Sequence, residues 1–137
     1  MITVFTDGGA RGNPGSAAIG VYIIDDQHHV VYTASEKIGI ATNNVAEYKA
    51  VIKALSWFLD NKKIAIKNSP IQILLDSQLV ASQINGIFKV KNPNLRLLLF
   101  EIREKEARIS AKITYSYIAR EKNTKADALV NKALDNT

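Results

Sequence analysis

The chain has 137 residues, 47% of them hydrophobic and 23% charged, with 18 Lys and Arg against 13 Asp and Glu and a formal charge of +5. It has no cysteine, which excludes a disulfide framework, a thiolate nucleophile and a zinc–thiolate centre. No apolar stretch approaches the roughly 20 residues that span a bilayer, and the start lacks a basic-then-apolar leader, so a single cytoplasmic domain over 1–137 is expected. The basic balance suits a polyanionic partner, or simply a solvated basic surface.

Three segments rich in β-branched and aromatic residues come first: ITVFT (2–6), AAIGVYII (17–24) and VVYTASEKI (30–38). They read as strands, and the short break DDQHH (25–29) makes the second and third an antiparallel hairpin. Its two histidines, His28 and His29, are expected on the surface. From TNNVAEYKAVIKALSWFLD (42–60) the period becomes helical, with Val51, Leu55, Phe58 and Leu59 recurring beside Tyr48. IQILLD (71–76) is a short buried strand after Pro70, and SQLVASQI (77–84) a helix stopped near Gly86. In NPNLRLLLFEIREKEARI (92–109), Asn92 caps a helix, Pro93 takes its first position, and Leu95, Leu98, Leu99 and Ile102 face inward. KITYSYIA (112–119) alternates as a strand. NTKADALVNKALD (123–135) is a helix with Ala126, Leu129, Val130, Ala133 and Leu134 on one face. The order β-β-β-α-β-α-α-β-α predicts an α/β fold with one mixed sheet, antiparallel at first and parallel where helices cross over.

Between the first two strands lies TDGGARGNPG (6–15), with four of the chain's seven glycines. A phosphate cradle needs a strand, a glycine loop and then a helix whose N-terminus faces the phosphate. Here a strand follows, and there is no Gly-Lys-Ser/Thr. The acids carry more information. Asp7 and Asp76 each close an apolar run, and an ionised acid there must reach a cleft, a partner or a metal. Ligands of open α/β sheets gather outside such strand ends. Each acid also has a plainer reading. Asp7 could be a turn residue, Asp76 could cap the helix after it, Asn44 and Glu47 match a capping box, and Asp127 suits a helix's first turn. Jointly the four form a pattern, two at strand ends and two at helix starts, each beside small or amide residues.

The blocks TDGGARGNPG, TNNVAEYKAVIKAL, LLDSQLV and REKNTKADALVNKA, in this order and spacing, resemble the type 1 ribonuclease H family over nearly the whole chain. The resemblance implies the ribonuclease H-like fold, a mixed five-stranded sheet with its first three strands antiparallel, flanked by helices. It implies cleavage of the RNA strand of RNA–DNA hybrids, leaving 5′-phosphate and 3′-hydroxyl ends. The family's carboxylates map onto Asp7, Glu47, Asp76 and Asp127. Crowded carboxylates repel one another, and two Mg²⁺ ions, with Mn²⁺ a substitute, relieve that repulsion and clamp a scissile phosphate. By resemblance Asp7 bridges both ions, Glu47 and Asp127 hold one each, and Asp76 acts on the first ion or its water.

Glu47 and the backbone of Gly8, Gly9, Ala10 and Arg11 would read the 2′-hydroxyl, the glycines letting the chain approach the RNA closely. Asn13, Asn44 and Gln78 match minor-groove positions, and Thr42 and Asn43 positions near a DNA-strand phosphate. Two departures stand out. The loop YIAREKNTKAD lacks the histidine that many relatives carry, so Arg120, or else Lys122, is expected to approach the phosphate in its place. The stretch INGIFKVKNPN lacks the basic helix of longer relatives, leaving Lys89, Lys91 and Arg96, which predicts weaker, salt-sensitive binding than in those relatives. A monomer without an added hybrid-binding domain is expected. Two other readings stay open: a catalytically silent nucleic-acid-binding module of this fold, and a ribonuclease that also cuts double-stranded RNA.

Overall fold

The computed structural model describes residues 1–62 and 69–136. Five strands, β1 (Ile2–Arg11), β2 (Gly15–Ile24), β3 (Val30–Ala41), β4 (Ile71–Leu75) and β5 (Ile113–Tyr117), form one sheet in the order β3-β2-β1-β4-β5. Among the described residues the helices are α1 (Asn43–Asp60), α2 (Gln78–Ile84), α3 (Pro93–Arg108) and α4 (Thr124–Asp135), and a 3₁₀ turn at Arg120–Lys122 precedes the last. The first three strands are antiparallel neighbours, while β1–β4 and β4–β5 are parallel. This is the mixed sheet that the element order predicts. Among the described residues, no helix is long and apolar enough to cross a membrane.

The first strand is longer than the apolar run ITVFT. It continues through Asp7 and both following glycines, because β2 stays paired with it as far as Arg11↔Ser16. Its parallel pairing with β4, however, stops at Thr6↔Leu75. Asp7 and Asp76 are therefore each the first residue beyond the last parallel pair, on adjacent strands. The hairpin turn that follows holds Gly12 at φ +90° and a cis Asn13–Pro14 peptide.

Helices cover the sheet on two faces. The main core gathers Val4, Val21, Ile73 and Leu75 of the sheet with Tyr48, Val51, Leu55 and Phe58 of α1. Leu95 and Ile102 of α3 are buried in it, with Leu98 and Leu99 packed against it. The Tyr48 hydroxyl, buried between helices, donates to Gln83 Oε1 of α2 at 2.7 Å. A smaller cluster of Ala18, Val130 and Ala133, with Leu134 beside it, seats α4 on β2.

Two glycines set how closely these layers approach. A Cβ at Gly8 would lie 2.2 Å from the carbonyl carbon of Ala46 in α1. A Cβ at Gly20 would lie 2.3 Å from the carbonyl oxygen of Ala126 in α4. Gly20 pairs with Asp7, the neighbour of Gly8, so strand alternation puts the two glycines on opposite faces. Helix backbone thus rests directly on sheet backbone on either side of Asp7.

Candidate active site

Thr42, not Asn44, caps α1: its hydroxyl accepts from the Val45 amide at 3.2 Å. Glu47 then lies past the capping-box position, and the capping reading of Asn44 and Glu47 does not hold. Ser77 similarly caps α2, its hydroxyl accepting from Val80 N at 3.2 Å, so Asp76 is not that helix's cap. Asp127 does sit in the first turn of α4, as expected.

Freed from capping, the acids converge. Oxygens of Asp7, Glu47 and Asp76 lie within 4.8 Å of one another. Asp7 and Glu47 are only 7% and 6% exposed, although both belong to a residue type that is rarely buried unpaired. Asp7 Oδ1 accepts from Gly8 N at 3.0 Å, and Asp76 Oδ2 from Asn123 Nδ2 at 2.9 Å. Glu47 Oε2 is buried with no hydrogen-bond partner. Burial, and then the charge of Asp76, push the Asp7 carboxyl up to about 7. Glu47 is held well above the usual carboxylate range, first by burial and then by Asp7. The protein thus gathers carboxyl groups whose ionisation its own groups oppose, so without a cation they tend to keep their protons. A hard cation fits such an all-oxygen donor set, and the unpartnered Glu47 oxygen is a ready ligand for it.

Asp127 lies outside the three-carboxylate group, but its charge contributes to raising Asp7. Its Oδ2 accepts from Asn131 Nδ2 one turn along α4 at 3.3 Å. It lines, with the other three, a cleft of about 410 Å³ whose walls include Gly8, Gly9, Ala10, Arg11, Asn43, Asn44 and Arg120. Of the other expected residues, Asn13, Thr42, Gln78 and Lys122 lie off the cleft, and His28 and His29 are exposed in their hairpin.

The amides near the cleft are already partly used. Asn13 Oδ1 accepts from Asn43 N at 2.9 Å, and Asn43 Oδ1 accepts from Ala10 N at 2.8 Å. This latches the glycine hairpin to the first turn of α1. Because the oxygens are engaged, the exposed NH₂ groups are what both side chains offer outward, and these suit acceptors such as sugar hydroxyls or phosphates. Arg11 is also anchored, its guanidinium meeting Asp135 Oδ1 of α4 at 2.5 Å. Gly8 has a packing reason that the sequence did not disclose: its missing side chain makes room for the α1 backbone that carries Glu47.

Sequence reasoning missed Ser77, Asn131 and Asn123. The first two line the cleft, and Asn123 lies fully buried beneath it. Their signal was faint. Asn131 follows Asp127 by one helical turn, and Asn123 stands where a helix cap would.

Fold and site together define an α/β domain with a carboxylate centre at the ends of adjacent parallel strands. A family model described as "Reverse transcriptase-like" matches residues 5–133. A "Ribonuclease HI" of Halobacterium salinarum is 36% identical over 98% of this chain and 64% of its own length. A bifunctional protein of Mycobacterium tuberculosis is 39% identical over 98% of this chain. The chain spans about a third (35%) of that protein and of the other curated relatives that match at this level. In structure, LC11-RNase H1 in complex with an RNA/DNA hybrid superposes with a TM-score of 0.91 at 40% identity, covering 98% of this chain and 97% of that one. The chain belongs to the type 1 ribonuclease H family.

Proposed function

We propose that the chain, with residues 1–137 forming one ribonuclease H domain, is an endoribonuclease that hydrolyses the RNA strand of RNA–DNA hybrids in the cytosol, acting as a monomer. The observation that carries this reading is the gathering of Asp7, Glu47 and Asp76 within 4.8 Å, with a buried Glu47 oxygen left unpartnered. The likeness to a ribonuclease H1 bound to a hybrid supports the choice of substrate.

In this reading Asp7, Glu47, Asp76 and Asp127 hold Mg²⁺, with Mn²⁺ a substitute. When bound, two such ions activate a water and stabilise the leaving oxygen of an in-line displacement at phosphorus. The water's oxygen bonds to phosphorus as the bond to the 3′-oxygen breaks, leaving a 5′-phosphate and a 3′-hydroxyl. The chain's own groups orient the strand. The Gly8–Arg11 backbone and Glu47 face the sugar, and the outward NH₂ groups of Asn13 and Asn43 donate to the hybrid. Asn44 and Gln78 take minor-groove positions, and Thr42 lies beside the DNA-strand phosphate. Arg120, exposed on the cleft wall, meets the phosphate with its planar fork.

Labelled hybrid, double-stranded RNA and single-stranded RNA, each incubated with Mg²⁺, Mn²⁺ or EDTA, test this directly. Cleavage of the hybrid with either ion and none in EDTA is expected. Cleavage that survives EDTA contradicts the metal reading; hybrid binding without cleavage indicates the silent module; cutting of double-stranded RNA widens the substrate. Arg120→Ala is expected to slow hybrid turnover by about 10- to 100-fold, the worth of one charge-assisted hydrogen bond. Unchanged turnover assigns the phosphate contact to another residue.

A further inference from the structure

Asn123 is fully buried at the foot of α4, in the position where an asparagine normally caps a helix. It makes no such bond. Its side chain turns instead toward the sheet, where Nδ2 donates to the backbone oxygen of Thr6 and to Asp76 Oδ2, both at 2.9 Å. The orientation of the amide follows from its neighbours, since the flipped form would set an oxygen against two acceptors. Oδ1 is left buried with no partner. A group that served only to end the helix would use that oxygen to accept from the first-turn amides. Here the acceptor is forfeited so that both donors reach the ends of β1 and β4.

The two bonds have a specific geometric effect. Thr6 is the last β1 residue paired with β4, and Asp76 follows the last β4 residue of that ladder. One rigid amide therefore fixes Asp76 relative to the strand that carries Asp7. It holds one Asp76 oxygen and leaves the other uncommitted. It also ties the start of the Asp127 helix to the same point, through the Asp127 amide, which donates to the Asn123 backbone oxygen at 3.1 Å. Residues that hydrogen-bond a ligating carboxylate commonly orient it, and removing them weakens metal binding by about 10- to 100-fold.

We propose that Asn123 is a positioning residue that orients Asp76 for a divalent cation, and that its amide is tuned to this task rather than to capping α4. The inference rests on the reading of Asp7, Glu47 and Asp76 as cation ligands. Mn²⁺ binding to the free protein, followed by titration calorimetry without nucleic acid, tests it on wild type, Asn123→Ala, Asp76→Asn and the double variant. Asn123→Ala should weaken Mn²⁺ binding by about tenfold. Because the effect passes through Asp76, the double variant should bind no more weakly than Asp76→Asn alone.

Binding within twofold of wild type in folded Asn123→Ala overturns the role, as does a double variant whose losses simply add. Should Asn123→Ala fail to fold, the wild type still decides. The Asn123 side-chain amide signals in a ¹⁵N spectrum should move on adding Mg²⁺, and unmoved signals in a protein that binds the ion overturn the proposal. A wild type that binds no divalent cation defeats the cation-site reading itself. A wild type that binds while Asn123→Ala binds equally defeats only the role of Asn123.

Discussion

Asp7→Asn is expected to lower hybrid cleavage by roughly a thousandfold or more while leaving the chain folded and able to bind the hybrid. Cation assistance supplies several kcal/mol of charge stabilisation at phosphorus, and each 1.36 kcal/mol is about tenfold in rate. Asp7 lies at the centre of the acid cluster, so its neutral amide removes a ligand together with the charge that attracts the cation. The same substitution has an opposite effect on stability. With no cation, burial and Asp76 raise the Asp7 carboxyl to about 7 from an ordinary 3.8. The unfolded chain thus loses its proton at lower pH than the folded one. Stability that is fully present below about pH 4 declines as pH rises to about 7. Glu47, raised by burial and by Asp7, pushes in the same direction. In EDTA, then, the wild type should melt at progressively lower temperature between pH 5 and 8, and Asp7→Asn should flatten much of that slope. Melting curves across this range, with and without Mg²⁺, check the point. A wild-type slope unaffected by Asp7→Asn, or wild-type turnover in that variant, removes Asp7 from the centre of the site.

Gly8→Ala is the second large effect, and it works through packing. The new methyl would stand 2.2 Å from the Ala46 carbonyl carbon and 2.5 Å from the Glu47 amide. Both are backbone atoms of a helix anchored in the main core, so no side chain can swing aside. The helix must retreat or the strand must bend, and overpacking of this kind costs about 1–3 kcal/mol, occasionally more. The retreat would draw Glu47 from Asp7 and Asp76, and misplacement by about 1 Å can cost about 100-fold in rate. A lower melting temperature with a rate loss beyond what instability explains is expected. Gly9→Ala offers the contrast, since its Cβ would meet only a Val130 methyl carbon at 3.7 Å. Equal behaviour of the two variants would show that α1 has more freedom than its contacts suggest.

The residues made much of this legible in advance. Strands, helices and their order followed from period and punctuation, because β-branched alternation and the Leu–Phe spacing of α1 are local properties. Asn92 and Pro93 opened α3 as read. The convergence of Asp7, Glu47 and Asp76 was suggested by strand ends and by the family resemblance. What stayed hidden was contact-dependent. The capping box at Asn44 and Glu47 was a pattern without a structure, since Thr42, two residues earlier, competes better for the first-turn amides. Gly8 looked like a loop residue because a glycine required by an opposing helix carries no local mark. Asn123 was invisible for the same reason: its partners are 117 and 47 residues away. The outward face of Asn13 and Asn43 likewise depends on a latch between a hairpin and a helix far apart in the chain.

The Thr6–Asn123 bond joins residues 117 apart, which bears on the order in which the carboxylate site is assembled. During synthesis the first three carboxylates emerge early, and β1 to β4 can pair before Asn123 has been added. Chains are synthesised from the N-terminus at about 5–20 residues per second, and domains generally fold as units. Until residues 123–127 have been made, Asp76 lacks its Asn123 partner and Asp127 is missing from the carboxylate group. In the proposed reading, the four-carboxylate site is complete only when α4, which packs on Gly20, has been made.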